Sequence, residues 1–444
     1  MSLPRKTEQS SFELFRNRLE NIIDDNHELV RLTRLVDWQN IDRMFGVHFV
    51  PNVGRPAVRT RLMVGLLYLK YLHNLSDEQV VLGFCENPYW QYFCGEEYFQ
   101  HDLPIHPTSL TKFRNRIGEN GCEILLKETI ELGLKTTVIK KNDIAKVNVD
   151  TTVQPKAIKY PTDSALHHHC RKKLVGLCRK YGIKLRQNFN RLSKLQLLRG
   201  NRYSFARQMR RAEACFKKIK IYLGRVYRNI KRELQDAPDL RVHFSDLLSK
   251  AKQLMHQKRN DKNKLYSLHA PEVECIAKGK ANKKYEFGSK VSIATTNKSN
   301  FVVGIQSLDK NQYDGHSLNE ALEQVKRLNN EYPKKVFVDQ GYRGHGVEGL
   351  EVYICGKRRD SKTSSLRRDL KRRSAIEPII GHLKSDGALS RNHLKGAKGD
   401  KINAIMTGAS FNLRKILRKL RLFYIQYLFQ ITAPIIKFRM TRRV

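Results

Sequence analysis

The chain has 444 residues and a formal net charge of +41, with 84 Lys and Arg residues against 43 Asp and Glu. Hydrophobic residues make up 40% of it, which is typical of a folded protein and excludes a disordered basic tail. So large an excess of cations indicates a polyanionic partner, because neutralised phosphates release bound counterions. Nucleic acid is the first expectation and an anionic membrane surface the second.

The hydropathy pattern argues against a membrane protein. The best apolar run, residues 422–436, contains two Gln and a Pro and is shorter than the roughly 20 apolar residues of a spanning helix. The N-terminal stretch MSLPRKTEQSS lacks the apolar core of a signal peptide. The eight Cys form no CxxC pair, and HHHC at 167–170 lacks a second ligand cluster at zinc spacing. A cytoplasmic protein with reduced thiols is expected.

Residues 1–125 are predicted to be helical. In RTRLMVGLLYLKYLHNL, the side chains of Leu62, Leu66, Leu69 and His73 share one helical face. Ser76 and Gln79 have the spacing of a capping box, which predicts a helix from there to about Cys85.

A third helix is predicted after Thr108, which we expect to act as its cap. Its inward side chains would be Leu110, Phe113 and Ile117, and its outward cations Lys112, Arg114 and Arg116. Short helices that end in a cationic one suit a DNA-binding module of the helix-turn-helix kind. An ordinary helical bundle with a solvated basic face fits the same pattern.

From about residue 143 the period changes to that of strands. AKVNVDTTV alternates, segments 283–295 and 300–308 read as a hairpin, and KKVFVDQGY and LEVYICG read as short strands. A helix follows the hairpin, with Ser317 and Glu320 as a predicted capping box, and a basic helical stretch carries Glu377. The order of strand, hairpin, helix, strand, strand and helix predicts an α/β fold with a mixed sheet covered by helices.

Residues 157–279 interrupt this α/β pattern. They are strongly basic and have apolar residues at helical spacing, so we interpret them as a helical insertion domain. We favour contact of its cations with DNA or RNA, and an ordinary solvated face is the alternative. The predicted domains are therefore 1–125 (helical, DNA-binding), 143–156 plus 280–420 (α/β core), 157–279 (basic insertion) and 421–444 (C-terminal tail).

Three carboxylates occupy positions that suggest chemistry. Asp150 lies in the strand VNVDTT, Asp339 ends the strand VFVDQGY, and Glu377 lies in the late helix. Carboxylates placed in this way can hold a pair of Mg²⁺ ions about 4 Å apart for phosphoryl transfer. Each residue also has an ordinary explanation: Asp150 could cap a turn, Asp339 could be a turn residue, and Glu377 could pair with Arg373 one helical turn earlier.

Several stretches resemble the DDE transposases of bacterial insertion sequences, in the group of insertion sequence five. They are VDTTVQPKAIKYPTD, VFVDQGYRG and the long segment that begins RRSAIEPIIGHLKSD, together with the helical segments 61–95 and 106–118. The resemblance implies an RNase H-like catalytic core in which Asp150, Asp339 and Glu377 are the catalytic acids and metal ligands.

The same resemblance implies residues that contact DNA. Arg373 and Lys384 match the cations of the signature Tyr-x2-Arg-x3-Glu-x6-Lys, which contact the transposon end. The tyrosine of that signature is replaced here by Leu370, which puts an aromatic contact at this position in doubt. Tyr342 and Arg343 match the motif GYRG after the second acid and are further candidates for substrate contact.

The implied activity is Mg²⁺-dependent cleavage at the element ends, followed by attack of the freed 3′-OH on target DNA, with Mn²⁺ as a possible substitute. The implied partners are double-stranded DNA and further copies of the chain, in a dimer or larger assembly in the bacterial cytoplasm at the nucleoid. Two alternatives remain: an RNase H-like nuclease that cuts without joining, and a catalytically silent DNA-binding repressor.

Overall fold

The computed structural model describes residues 17–47, 56–258, 260–277, 284–356 and 363–422, and the backbone of residues 423–441. The chain divides into two compact units. We call Met1–Pro155 with Ser289–Val444 the core unit, and Lys156–Gly288 the inserted unit.

The elements in chain order are as follows. The helices are α1 Glu28–Leu35, α2 Trp38–Gly46, α3 Thr60–Leu72, α4 Asp77–Glu86, α5 Pro88–Phe93, α6 Thr108–Lys135, α7 Lys141–Ile144, α8 Asp163–Lys180, α9 Asn190–Phe205, α10 Met209–Asp236, α11 Arg241–His256, α12 Asp314–Asn329, α13 Ser364–Arg372, α14 Ile376–Ser385 and α15 Gly396–Thr441. The strands are β1 Lys146–Pro155, β2 Glu274–Ala277, β3 Tyr285–Thr296, β4 Val302–Ser307, β5 Lys335–Val338 and β6 Glu351–Ile354. Short 3₁₀ turns lie at Leu19–Asn21, Pro238–Leu240, Gln340–Tyr342 and Arg373–Ala375.

The first helices of the core unit follow the predicted pattern in part. The capping box of Ser76 and Gln79 at the start of α4 is confirmed. Helix α3 is buried on nearly all sides and ends at Leu72, so the predicted face stops before His73, which is exposed. This helix is central because α2, α4 and α15 pack around it.

Helix α6 differs from its prediction at two positions. Thr108 is its first helical residue and not its cap, because the N-cap is Pro107 and no side chain caps the helix there. Arg114, expected on the outer face, is 3% exposed because its guanidinium donates two hydrogen bonds to the carboxylate of Asp77, at 2.8 and 2.6 Å. The helix also continues to Lys135 through a kink at Gly118, whose φ of +65° suits glycine.

The core unit contains a mixed sheet, in the order β4–β3–β1–β5–β6. Strands β1, β5 and β6 are parallel, and β3 and β4 form the predicted antiparallel hairpin. The first residues of β3 belong to the inserted unit, where they pair with β2. The expected mixed α/β fold with helices over the sheet is confirmed in this form.

Helices cover both faces of this sheet. On one face α12 packs Leu318, Leu322 and Val325 with strand residues such as Val149 and Val336. On the other face, α15 packs against β4 and α6 packs against α15. Their shared apolar cluster includes Val291 and Ile293 of β3. The same apolar cluster includes side chains of α1 to α4, so the segment predicted as a separate domain, 1–125, shares a core with the sheet.

The start of α12 lies earlier than predicted. The helix begins at Asp314, and Ser317 is a buried residue of its first turn whose hydroxyl donates to the Asp314 carbonyl at 2.8 Å. The predicted capping box of Ser317 and Glu320 is therefore wrong. The consequence is that Asp314, and not Ser317, stands at the helix start, beside Thr151 of β1 and the turn after β5.

The inserted unit is a helical body with its own core. Helices α8, α10 and α11 contribute most of it, with Leu174, Leu223, Val226, Phe244 and Leu254 buried. The side chains of HHHC take part in this packing, since Nε2 of His167 donates to the Leu254 carbonyl at 2.9 Å and Nδ1 of His168 lies 2.8 Å from Ser193 Oγ. Through these hydrogen bonds the two histidines connect α8 to α11 and to α9.

Opposite its buried side, α10 presents cations to solvent. Its exposed residues there include Arg210, Lys217, Arg225, Arg228 and Arg232. At the other end of the chain, α15 continues through the start of the predicted tail at 421 and ends at Thr441. None of the helices in the described part of the chain is both long and apolar enough to cross a membrane.

Candidate active site

Two of the three predicted acids are brought together by the parallel pairing of β1 and β5. Asn148 of β1 is in register with Phe337 of β5, so Asp150 and Asp339, each two residues further on, come to neighbouring positions at the carboxyl end of β5. Asp150 lies within β1, whereas Asp339 comes just after β5. Ligands gather at such strand ends in open sheets.

The third acid is delivered by the helical segment α13–α14. This segment is held against β1 because Nζ of Lys146 contacts the Asp369 carboxylate at 2.6 Å and Nδ2 of Asn148 donates to the Arg372 carbonyl at 3.4 Å. The segment was predicted as one basic helix, but a 3₁₀ turn at Arg373–Ala375 separates α13 from α14. Glu377 follows in the first turn of α14.

The guanidinium of Arg373 lies among the three acids. Its Nη2 is 2.8 Å from Asp150 Oδ2 and 3.5 Å from Asp339 Oδ2. Its Nη1 is 3.8 Å from Glu377 Oε1. The ordinary pairing of Glu377 with Arg373 is thus present, but it is the longest of the three contacts. All three predicted acids lie around the guanidinium of this one residue.

The three acids differ in their exposure to solvent. Asp150 is 15% exposed, Asp339 40% and Glu377 70%, while Arg373 is 13% exposed. Asp339 is also a turn residue, since its Oδ1 accepts from the Gly341 amide at 2.9 Å, and Asp150 Oδ1 accepts from the Thr151 amide at 2.7 Å. Backbone hydrogen bonds therefore orient the first two acids, and Glu377 stands at the open side.

A fourth carboxylate, Asp314, belongs to the same neighbourhood and was missed from the sequence. Its Oδ1 accepts from the Thr151 hydroxyl at 2.7 Å and lies 2.6 Å from Nζ of Lys290, which is 10% exposed. A Cβ placed on Gly341 would lie 3.4 Å from Asp314 Oδ2 and 3.1 Å from Asp339 Oδ1. Asp314 is the first residue of a helix, and that position is the signal that could have singled it out.

The predicted DNA contacts occupy different environments. Arg343 is exposed and Lys384 is partly buried on α14. Tyr342 has no exposed area and packs in the apolar cluster under the sheet, so as placed its ring does not reach a DNA surface. Burial, and then the charges of Asp150, Asp314 and Asp339, raise the pKa of its phenol well above the usual value. Its hydroxyl therefore stays protonated beside the acids.

The chemistry of these side chains fits a hard divalent cation such as Mg²⁺, which prefers carboxylate oxygens. Two buried polar atoms at the site, Tyr342 Oη and Arg373 Nε, have no hydrogen-bond partner in the described part of the chain. Among those residues, no group of three or more His, Cys, Asp or Glu side chains is arranged to hold a metal ion. The donors are thus of the right kind, but they are gathered around a guanidinium.

Two family models match the chain. Residues 17–116 match the model of a transposase domain (DUF772), and residues 235–413 match the model of a transposase DDE domain. The chain therefore carries matches to two transposase domains, which is consistent with a DDE transposase. The matched DDE segment contains Asp339, Arg373 and Glu377, whereas Asp150 lies before it.

One relative among curated proteins matches closely. The "Uncharacterized protein ORF8 in nfe locus" of Rhizobium meliloti is 49% identical over 205 residues, which are 46% of this chain and 99% of that protein. Its name states no activity. No solved structure matches the chain.

Proposed function

We propose that this transposase binds the terminal inverted repeats of an insertion sequence of the insertion-sequence-five group, cleaves the phosphodiester at each element end and joins the freed 3′-OH to target DNA. The observation that carries this proposal is the convergence of Asp150, Asp339 and Glu377, from β1, the end of β5 and α14, on one point. The mixed sheet with its helices supports an RNase H-like core as the scaffold.

In this proposal Asp150, Asp339 and Glu377 would hold two Mg²⁺ ions, or Mn²⁺ ions in their place. Such ions supply Lewis-acid polarisation of the phosphodiester and a nucleophilic water at neutral pH. Asp150 and Asp339 are held rigidly by backbone amides and by the β1–β5 pairing. Glu377 is 70% exposed and lies at the side of the cluster that is open to solvent.

DNA is held by cations outside the acid cluster. Arg343 lies directly after the turn of Asp339 and is exposed, and Lys384 lies two helical turns beyond Glu377. The exposed cations of α10 in the inserted unit supply further phosphate contacts. Two element ends must be held at once, so we expect a dimer or larger assembly on DNA, acting in the cytoplasm at the nucleoid.

The test is cleavage of a labelled duplex that carries the inverted repeats flanking the gene. Wild type should cut at the repeat boundary with Mg²⁺ and not with EDTA, and should join the 3′ end to a second duplex. Glu377→Gln should lower the cutting rate by at least about a hundredfold, because the neutral amide has no negative charge and one oxygen fewer to offer a metal ion, while DNA binding remains. Glu348→Gln, which changes an exposed acid in the loop before β6, is the matched control.

The other possible results separate the alternatives. Metal-dependent cutting without joining identifies an RNase H-like nuclease. If wild type and both variants bind the repeats tightly and none of them cuts, the protein is a silent DNA-binding repressor. A Glu377→Gln protein that cuts at the wild-type rate refutes the assignment of the acids.

A further inference from the structure

The resemblance assigns Arg373 to DNA, but the structure places its guanidinium against the acids. Its side chain is 13% exposed and lies within 4 Å of Asp150, Asp339 and Glu377. Its shortest contact, 2.8 Å to Asp150, is a charge-assisted hydrogen bond. In this structure, therefore, the side chain expected to bind DNA does not face the solvent from which DNA would arrive.

The backbone of this turn is fixed independently of that side chain. The carbonyl of Arg372 accepts from Asn148, and the guanidinium of Arg372 donates to the carbonyls of Asn297 and Lys298, at 3.1 and 2.6 Å. The Arg373 guanidinium, in contrast, is held by the three carboxylates, and its buried Nε has no hydrogen-bond partner in the described part of the chain. The side chain can thus change partners while the turn stays in place.

A guanidinium and divalent cations are mutually exclusive partners for these acids. They attract the same carboxylate oxygens and repel each other over the few ångströms available. A phosphodiester is the other partner that suits a guanidinium, because its planar fork forms two parallel hydrogen bonds to phosphate oxygens. Arg373 therefore has two possible sets of partners: the acids in the protein alone, and a phosphate when DNA is bound.

We propose that Arg373 is an internal counter-cation that occupies the metal site of the DNA-free protein and leaves it for a DNA phosphate. This inference rests on the proposed function, since it presumes that the three acids hold metal. It makes metal binding depend on DNA: the acids are neutralised by Arg373 until a phosphate draws the guanidinium away. The transposase then becomes loaded for cleavage only where DNA lies in the site.

The dependence is reciprocal, because two ligands that favour the same state strengthen each other by the same factor. DNA should increase the affinity for metal, and metal should increase the affinity for DNA. Removing the guanidinium should break both effects. The acids would then bind metal without DNA, and DNA would add little to that affinity.

The experiment measures Mn²⁺ binding to the full chain by the EPR signal of unbound Mn²⁺, with and without a short duplex that lacks the element ends. For wild type, the duplex should raise the Mn²⁺ affinity by about tenfold or more, which corresponds to about 1.4 kcal/mol. Arg373→Gln without DNA should bind Mn²⁺ about tenfold or more tightly than wild type, and the duplex should change this affinity much less. Arg368→Gln, an equal loss of charge at an exposed position of α13, should behave as wild type.

Each remaining outcome decides the matter. Equal Mn²⁺ affinities of wild type and Arg373→Gln without DNA overturn the role of Arg373 but leave the proposed function standing. If no protein binds Mn²⁺ under any condition, the metal site fails, and with it both proposals. If the circular-dichroism spectrum shows that Arg373→Gln does not fold, Arg373→Lys takes its place in the experiment. The single ammonium group of lysine cannot contact three carboxylates at once. An Arg373→Lys protein with wild-type Mn²⁺ affinity and the wild-type response to DNA likewise overturns the inference.

Discussion

Two buried arginines, one in each unit, have partners of different charge. In the core unit, the buried guanidinium of Arg114 faces the carboxylate of Asp77, which also lies 2.5 Å from Nζ of Lys70. In the inserted unit, the equally buried Arg171 is held by neutral oxygens, the carbonyl of Asn188 at 2.6 Å and Oδ1 of Asn190 at 2.7 Å. Burial lowers the pKa of Arg171. Burial is also the largest single influence on Arg114, but the hydrogen bond and charge of Asp77, together with Tyr71 and Cys122, outweigh it and raise the pKa of Arg114.

Buried and exposed cations have different roles in a chain with a net charge of +41. Arg114 and Arg373 of the core unit face carboxylates, and these ion pairs fix the geometry of α4, α6 and the acid cluster. The solvent face of α10 presents Lys and Arg side chains toward water. Paired and buried charges specify a structure, whereas exposed cations cost the fold little and remain available to a polyanion.

The largest expected effect is on the ion pair of the core unit. Asp77→Asn should lower the free energy of unfolding by about 3 kcal/mol, because Arg114 and Lys70 would remain buried without a negative partner. Thermal and urea unfolding of the full chain would measure this loss. The matched control is Asp25→Asn, whose partner Arg34 is 52% exposed, and it should cost less than about 1 kcal/mol.

The ion pair of Asp77 with Arg114 also predicts how the stability of the core unit changes at acidic pH. Burial favours the neutral acid, but the hydrogen bond from Arg114 and the charge of Lys70 lower the pKa of Asp77 to about 2. Because this is below the unfolded value of about 3.9, the pair stabilises the fold fully above about pH 4 and loses that contribution as the pH falls to about 2. Equal losses in Asp77→Asn and Asp25→Asn would contradict the contrast between paired and exposed charge.

A smaller effect is expected from the exposed cations of the inserted unit. The triple substitution Lys217→Gln, Arg228→Gln and Arg232→Gln should weaken DNA binding and leave the unfolding temperature nearly unchanged. Each lost phosphate contact should reduce the slope of log K against log salt concentration by about 0.9. Fluorescence anisotropy of a labelled duplex over a series of salt concentrations would measure this slope.

The control for this experiment removes the same charge from the core unit. Lys135→Gln, Lys141→Gln and Lys334→Gln change three exposed lysines of that unit. If both triple variants lower the slope equally, net charge alone explains DNA binding and the inserted unit has no special part in it. If neither does, DNA lies elsewhere on the chain.

The elements that depend on local pattern could be predicted from the sequence. The hairpin of β3 and β4, the capping box of Ser76 and the strand before Asp339 have local signals, and they are found. The three acids were found from strand position and resemblance together. Asp150 and Asp339 meet because of the β1–β5 register, and Glu377 joins them because α13 is held against β1; no local pattern specifies either arrangement.

Contacts between residues that are far apart in the chain could not be predicted from the sequence. Arg114 looks like an outward cation of an amphipathic helix, and its burial depends on Asp77, 37 positions away. Arg373 looks like a DNA contact, and its contact with Asp150 spans 223 positions. Asp314 escaped notice because Ser317 offered a more familiar helix start, although the helix begins at Asp314 itself.

The smallest expected effect is a response of the inserted unit to mild acid. Burial, and then the charges of Arg171, His169 and Lys172, lower the pKa of His168 to about 4. A group whose folded pKa lies below its unfolded value of about 6.5 stabilises the fold fully above that pH and loses this contribution as the pH falls toward 4. Exchange of the α8 backbone amides should therefore accelerate between pH 6.5 and 4, after correction for the intrinsic rate.

His168→Asn should flatten this pH dependence of exchange. The flattening should be partial, because burial also lowers the pKa of His167. The same substitution at exposed His256 of α11 is the control. If His168→Asn keeps the wild-type pH profile, the titration of His168 is not what makes the inserted unit sensitive to acid.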